Sequence, residues 1–236
     1  MGKKESTKQT VQILLVIFAF LLIGGAIFWI GKKSDKPTPS SNDQPAATIS
    51  TADKASILKI KSDDDIQGSA SAPVTIIEYA DFQCPYCIQF DTTMQQVMAA
   101  YPTGVRWVYR HFPLEFHQNA QISAMAVEAA GNQGKFWEYA DLLISKSQAD
   151  GTGLNTSDLT GYAQSLGLDM TKFSADQNNS SLSDKISSDE SDAKKLGIQG
   201  TPTSYLIDGK GNISDIAGAL SFSDMKAKID PLLTGN

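Results

Sequence analysis

The chain has 236 residues, a formal net charge of −6 and 2 cysteines. An acidic balance with dispersed lysines argues against a nucleic-acid-binding surface and against docking on anionic lipid. Two cysteines cannot build the cross-linked framework of a small secreted domain, while the length allows one ordinary domain plus extra segments.

The extra segments come first. Val11 to Ile30 is an almost unbroken apolar run, and twenty residues at about 1.5 Å each span roughly 30 Å, the thickness of a bilayer core. The apolar stretch of a cleaved signal peptide is shorter, about 7–15 residues, and ends on small residues; here Trp29 and Ile30 close the run and no Ala-x-Ala follows closely. The expectation is an uncleaved transmembrane anchor over 11–30 behind a short N-terminus, 1–10. Lys3, Lys4 and Lys8 before it are matched by Lys32, Lys33 and Lys36 after it, so charge asymmetry leaves the orientation almost undecided. Residues 31–56 are rich in Ser, Thr, Asp, Asn and Gln with Pro37, Pro39 and Pro45, a composition that reads as a disordered tether.

A folded domain is expected over 57–236. Val74–Tyr79 reads as a strand, Cys84 to about Ala100 as a helix stopped by Pro102, and Val105–Arg110 as a second strand. That spacing favours a parallel pair with a crossover helix. Residues 118–197 read as a helical block. Ala120–Ala130 is Ala-rich, Phe136–Lys146 amphipathic, and Ser157–Leu166 opens on an Asn-Thr-Ser-Asp capping signal. A polar stretch then leads to a helix near Ser183–Leu196, closed by Gly197. Thr203–Ile207 and Asn212–Ala217 flank Asp208-Gly209-Lys210-Gly211, a hairpin signal, and Ser223 is expected to cap a terminal helix to Leu233. The order is β-α-β, helical block, β-β-α.

Both cysteines fall in one motif, Cys84-Pro85-Tyr86-Cys87. Side chains at i and i+3 of a regular helix lie about 5–6 Å apart at Cβ, too far for an unstrained disulfide at roughly 3.5–4.5 Å. The strain is relieved if Cys84 is the non-helical N-cap, a register that Pro85 at the first helical position favours. The sulfur of Cys84 would then face unpaired backbone N–H groups and the positive end of the helix dipole. Cys84 is expected to be an exposed, low-pKa nucleophile and Cys87 the shielded resolving thiol. A structural disulfide over two residues would add little stability, and tetrahedral zinc would have only His111 and His117 to complete it.

Two further features flank the motif. Glu78 is a carboxylate in an otherwise apolar strand, expected to serve Cys87 as a proton acceptor, although alternation leaves open whether it faces the core or water. Gly200-Thr201-Pro202-Thr203 precedes a strand, where a cis proline would present the Thr201 backbone to an extended substrate. His111 and His117 read as capping or packing residues. Phe112, Leu114 and Phe116 are candidates for lining a groove beside Cys84.

Taken together, these residues resemble the thioredoxin-like superfamily and, within it, the DsbA-like branch. The resemblance runs from about residue 66 to 233 and is carried by Glu-Tyr-Ala-Asp-Phe-Gln-Cys-Pro-Tyr-Cys at 78–87, Tyr-Arg-His-Phe-Pro-Leu at 109–114 and Gly-Ile-Gln-Gly-Thr-Pro-Thr at 197–203. Gln133-Gly134-Lys135-Phe136-Trp137 and the helical block also suit that branch. It implies a thioredoxin-like α/β fold, a nucleophilic Cys84, a resolving Cys87, a cis pair Thr201-Pro202 and a buried acid at Glu78. Substrate contacts would come from Thr201, Pro202, Pro85 and Tyr86, and no cofactor or metal is called for. It implies an extracytoplasmic domain tethered to the cell membrane with the N-terminus inside. Exported proteins with reduced cysteines would be the substrates, and a quinone-linked membrane protein would reoxidise the pair. The strongest oxidases of the branch carry His between the cysteines; Tyr86 offers no imidazolium, which leaves a potential anywhere from roughly −120 to −230 mV. A reductase or isomerase on the same fold, and a tethered Cu(I) or zinc carrier, are the alternatives.

Overall fold

The computed structural model describes residues 49–234. The expected anchor over 11–30 and most of the tether lie outside them; among the described residues no helix is long and apolar enough to cross a membrane. The tether reading is corrected at its C-terminal end. Thr51–Ile57 forms a helix, α1, whose N-cap Ser50 accepts a hydrogen bond from Asp53 N. Nothing in α1 is fully buried, so its composition resembled a tether. The end of α1 and the chain after it are held by the buried Arg110, which donates to Ile57 O, Lys59 O, the Tyr79 hydroxyl and both oxygens of Asp64 at 2.7–3.0 Å.

Five strands follow the order β1-β3-β2-β4-β5. They are β1 (Asp65–Gly68), β2 (Val74–Ala80), β3 (Val105–His111), β4 (Thr203–Ile207) and β5 (Ile213–Ala217). Only β2 and β3 are parallel, joined by α2 (Pro85–Ala100) as expected; β1–β3, β2–β4 and β4–β5 are antiparallel. The edge strand β1 was not anticipated, because its Asp-Ile-Gln-Gly is short and only half-buried.

Every residue of β2 is buried, as befits a central strand covered on both faces. Val74, Ile76 and Ala80 enter the larger core with Phe90, Met94 and Val97 of α2, whereas Ile77 and Tyr79 enter a smaller one with Leu58, Val108 and Leu196. Each fully buried side chain of this kind contributes roughly 1.5–3 kcal/mol. Alternation therefore places Glu78 on the larger-core face, beneath α2.

The helical block between β3 and β4 comprises α3 (Ala120–Gly131), α4 (Phe136–Lys146), α5 (Thr156–Ser165), α6 (Met170–Asp176) and α7 (Ser180–Lys195). Asn155 caps α5 through Ser157 N and Asp158 N, and Gly197 closes α7 with φ 76°. Helix α6 escaped the sequence reading, being a single buried Phe173 on a short segment capped by Asp169. The turn between β4 and β5 is tied by Asp208, whose side chain accepts from Lys210 N and Asn212 N. The terminal helix α8 (Phe222–Thr234) starts one residue before the expected cap. Ser221 rather than Ser223 accepts from Asp224 N.

Candidate active site

Cys84 is the N-cap of α2, with extended φ −72° and ψ 123°, and Pro85 occupies the first turn. Cys87 lies one turn in, and both cysteines are unpaired thiols. The expected exposed nucleophile is a correction: Cys84 has 3% and Cys87 5% of its surface accessible. Pro85 and Tyr86 are exposed instead, so the dipeptide forms the outer face of the motif.

The two thiols are driven apart. Cys84 is lowered to about 5, first by a hydrogen bond from the Cys87 side chain, which outweighs burial, and then by Thr201 and the backbone N–H groups of Cys87 and Tyr86. These are the free donors of a helix start. Cys87 is pushed well up by burial, by donating to Cys84 and by the charges of Glu78 and Cys84. Its sulfur accepts from Asp81 N at 3.5 Å.

Thr201 meets the pair from the sheet side. The Thr201–Pro202 peptide is cis, and Cys84 Sγ lies 3.4 Å from Thr201 O, a bond that only the thiol form can donate. Thr201 Oγ1 is buried without a partner, free to turn to the thiolate. A groove of about 470 Å³ runs from this point, lined among others by Leu196, Ile198, Thr201, Pro202 and Tyr205. A second of about 470 Å³ is lined by Phe112, Leu114, Phe116 and Ile198, so the cluster lines a groove, but one whose lining does not include Cys84; Phe116 is 76% exposed.

Glu78 is 2% exposed. Burial and the charge of Asp91 push it up to about 8, against the hydrogen bond that Trp107 Nε1 donates to Oε2 at 2.9 Å, with Cys84 adding a little more. At neutral pH it therefore holds a proton. It lines the same small cavity as Cys87.

His111 is a packing residue, as expected: 1% exposed, hydrogen-bonded through Nε2 to Glu128 at 2.7 Å and lowered to about 3 by burial. His117 does more. Its Nδ1 lies 2.7 Å from Asp81 Oδ2, which also accepts from Leu114 N, while Oδ1 accepts from Gln83 N. Asp81 thus ties the loop bearing Cys84 to the loop after β3. The sequence reading passed over it and over Asp91. Asp91 sits four residues after Cys87, a spacing that places both on one helix face.

A buried dithiol at a helix start, facing a cis proline at the end of a central strand, defines a thiol–disulfide oxidoreductase. A family model described as thioredoxin matches residues 61–231, so the chain belongs to the thioredoxin family. Among solved structures, a thioredoxin-like oxidoreductase from Silicibacter pomeroyi DSS-3 is 27% identical, covers 72% of this chain and 92% of its own, and superposes with a TM-score of 0.63. DsbA2 from Pseudomonas aeruginosa is 26% identical, covers 75% and 98%, and gives 0.62. The described domain is similar to DsbA-like thiol–disulfide oxidoreductases. A curated relative, the Na(+)/H(+) antiporter NhaA 1 of Salinispora arenicola, is 35% identical over 174 residues, 71% of this chain, but the chain spans only 26% of that protein's length.

Proposed function

We propose that the protein introduces disulfides into exported proteins. A substrate thiolate attacks Cys84 Sγ of the Cys84–Cys87 disulfide, and Cys87 leaves as a thiolate that takes a proton from Glu78. A second substrate thiolate then attacks the substrate sulfur of the mixed disulfide, so that Cys84 departs as a thiolate and the substrate leaves oxidised. Thr201 and Pro202, with the exposed Pro85 and Tyr86, contact the extended substrate.

The observation that carries this direction is Cys84 at the N-cap of α2, where Cys87 and the backbone donors of the helix start lower its thiol to about 5. A thiolate stabilised in the dithiol form favours reduction of the disulfide, which is what makes a strong oxidant. Here the helix start and Cys87 supply that stabilisation without a histidine. The reduction potential of the full chain in detergent, equilibrated against glutathione, is the test. A value near roughly −120 mV supports the oxidase, and one at or below about −230 mV assigns the chain to reduction or isomerisation instead.

We infer that residues 11–30 anchor the domain outside the cytoplasm, and that a quinone-linked membrane protein reoxidises it. Alkaline extraction followed by protease treatment of intact cells tests the topology. Among the described residues no three His, Cys, Asp or Glu side chains are grouped to hold a metal. The antiporter relatives lend no ion-transport role to the described residues, which carry no membrane-crossing helix.

A further inference from the structure

The groove that runs from Thr201 is lined by apolar and neutral polar residues, and Asp215 is the charged residue among them. In the β4–β5 pairing Thr203 lies opposite Ala217 and Tyr205 opposite Asp215. Residues two apart on a strand share a face, as do residues paired across strands. Tyr205 and Asp215 therefore stand side by side, one step past Thr203. Four residues at about 3.3 Å each put them roughly 13 Å from Thr201, the residue whose carbonyl meets Cys84 Sγ.

Lys54 of α1 fills this position. Its ammonium forms an ion pair with Asp215 and lies 4.9 Å from the centre of the Tyr205 ring. A carboxylate beside an aromatic face suits an organic cation, and here the chain's own lysine is the cation held. The hold is weak. No residue of α1 is fully buried and the Asp215 side chain is 63% exposed, and an exposed ion pair shifts an equilibrium by no more than a few-fold. The chain after α1 is fastened separately, by Leu58 in the smaller core and by Arg110 on Ile57 O and Lys59 O. Lys54 can thus leave Asp215 without releasing the core.

We propose that Tyr205 and Asp215 form a cation subsite at the far end of the substrate groove, occupied by Lys54 as the stand-in for a lysine or arginine of the substrate. The inference rests on the reading of Thr201 and Pro202 as substrate contacts. The substrate is then an extended segment whose Arg or Lys lies about four residues from its reacting cysteine, because an extended chain covers roughly 13 Å in that length. Its cation takes over the carboxylate of Asp215 and the face of Tyr205 as Lys54 withdraws. Lys54 lowers the selectivity of the subsite, since each substrate cation must displace it.

The test is reduction of the oxidised full chain in detergent by an excess of single-cysteine peptides, timed by mass spectrometry of acid-quenched samples. Two peptide thiols reduce the Cys84–Cys87 bond in turn and join as a peptide disulfide. The peptides carry Arg or Gln about four residues from the cysteine, on either side, or about ten residues away. The readout is the ratio of second-order rates for Arg over Gln, compared between protein variants so that the acidity of each peptide thiol cancels. In the unsubstituted chain the ratio is expected to lie within about twofold of one. In Lys54→Met it is expected to rise about fivefold for the near Arg on the one side that reaches Tyr205, and to fall back in Lys54→Met/Asp215→Asn. An unchanged ratio in Lys54→Met overturns the subsite and leaves Lys54 as a strap that holds α1. An equal rise for the distant Arg also overturns it, because loss of a lysine from an acidic chain favours a cation at any position. A ratio that stays high after Asp215→Asn overturns the assignment of Asp215. Unchanged rates for every peptide in Pro202→Thr overturn the groove reading beneath the subsite, and failure of every peptide to reduce the unsubstituted chain overturns the exchange reading itself.

Discussion

Two sulfurs one helical turn apart differ in acidity because their surroundings differ. Cys84 receives donors from a helix start and from Cys87, while Cys87 is buried above a carboxyl. Alkylation of the reduced protein by a small haloacetamide is therefore expected to modify Cys84 alone, with a midpoint near pH 5, read by mass spectrometry; a midpoint near 8.5 contradicts the site. Cys84→Ser is expected to abolish exchange, and Cys87→Ser to accumulate mixed disulfides with substrates on non-reducing gels. Trapping by neither variant would remove the assigned roles.

At the scale of elements, the site depends on how the Cys84 loop is held. Asp81 is 2% exposed and its carboxylate satisfies Gln83 N, Leu114 N and the His117 ring. Its own N–H points at Cys87 Sγ. Asp81→Ala leaves two backbone donors without partners, each costing about 1–3 kcal/mol. It is expected to lower stability by roughly 3 kcal/mol in urea unfolding and to raise the alkylation midpoint of Cys84, whereas Asp81→Asn retains part of both. Helix α2 was legible because Pro85 and Pro102 bracket it. Strand β1, by contrast, has no apolar alternation to announce it, and it forms only because β3 offers an edge, with Asp65 opposite Tyr109.

At the scale of the molecule, several carboxyls are buried and raised: Glu78 to about 8, Asp65 and Asp91 to about 7. In each case burial is the largest cause. The folded state keeps protons that the unfolded state has lost, so their contribution is fully present below about pH 4.5 and is lost as pH rises towards 8. His111, lowered to about 3 by burial, acts in the opposite window, its contribution disappearing as pH falls from about 6.5. The urea midpoint of the reduced protein is expected to be higher at pH 5 than at pH 8. Glu78→Gln is expected to flatten that decline and to stabilise the protein at pH 8 by roughly 2 kcal/mol or more. An unchanged slope in the variant would mean that Glu78 titrates as an ordinary surface acid.

The sequence by itself determined the order of the major elements, the parallel pair with its crossover helix and the N-cap register of Cys84, while the pairing of the motif with Thr201-Pro202 came from the family resemblance. These rest on local rules: apolar periodicity, proline at a helix start, a four-residue turn signal, and an N-cap side chain. Tertiary structure decided what depends on distant residues meeting. It buried Cys84, and it turned Glu78 into the larger core, where Trp107 satisfies one of its oxygens. It folded Thr51–Ile57 in a stretch of tether-like composition, beside a chain that Arg110 clamps from β3. It also gathered Asp81, His117 and Asp91 around the dithiol. A charge's cost and its protonation are set by the dielectric and partners around it, and those partners come from segments far apart in the chain.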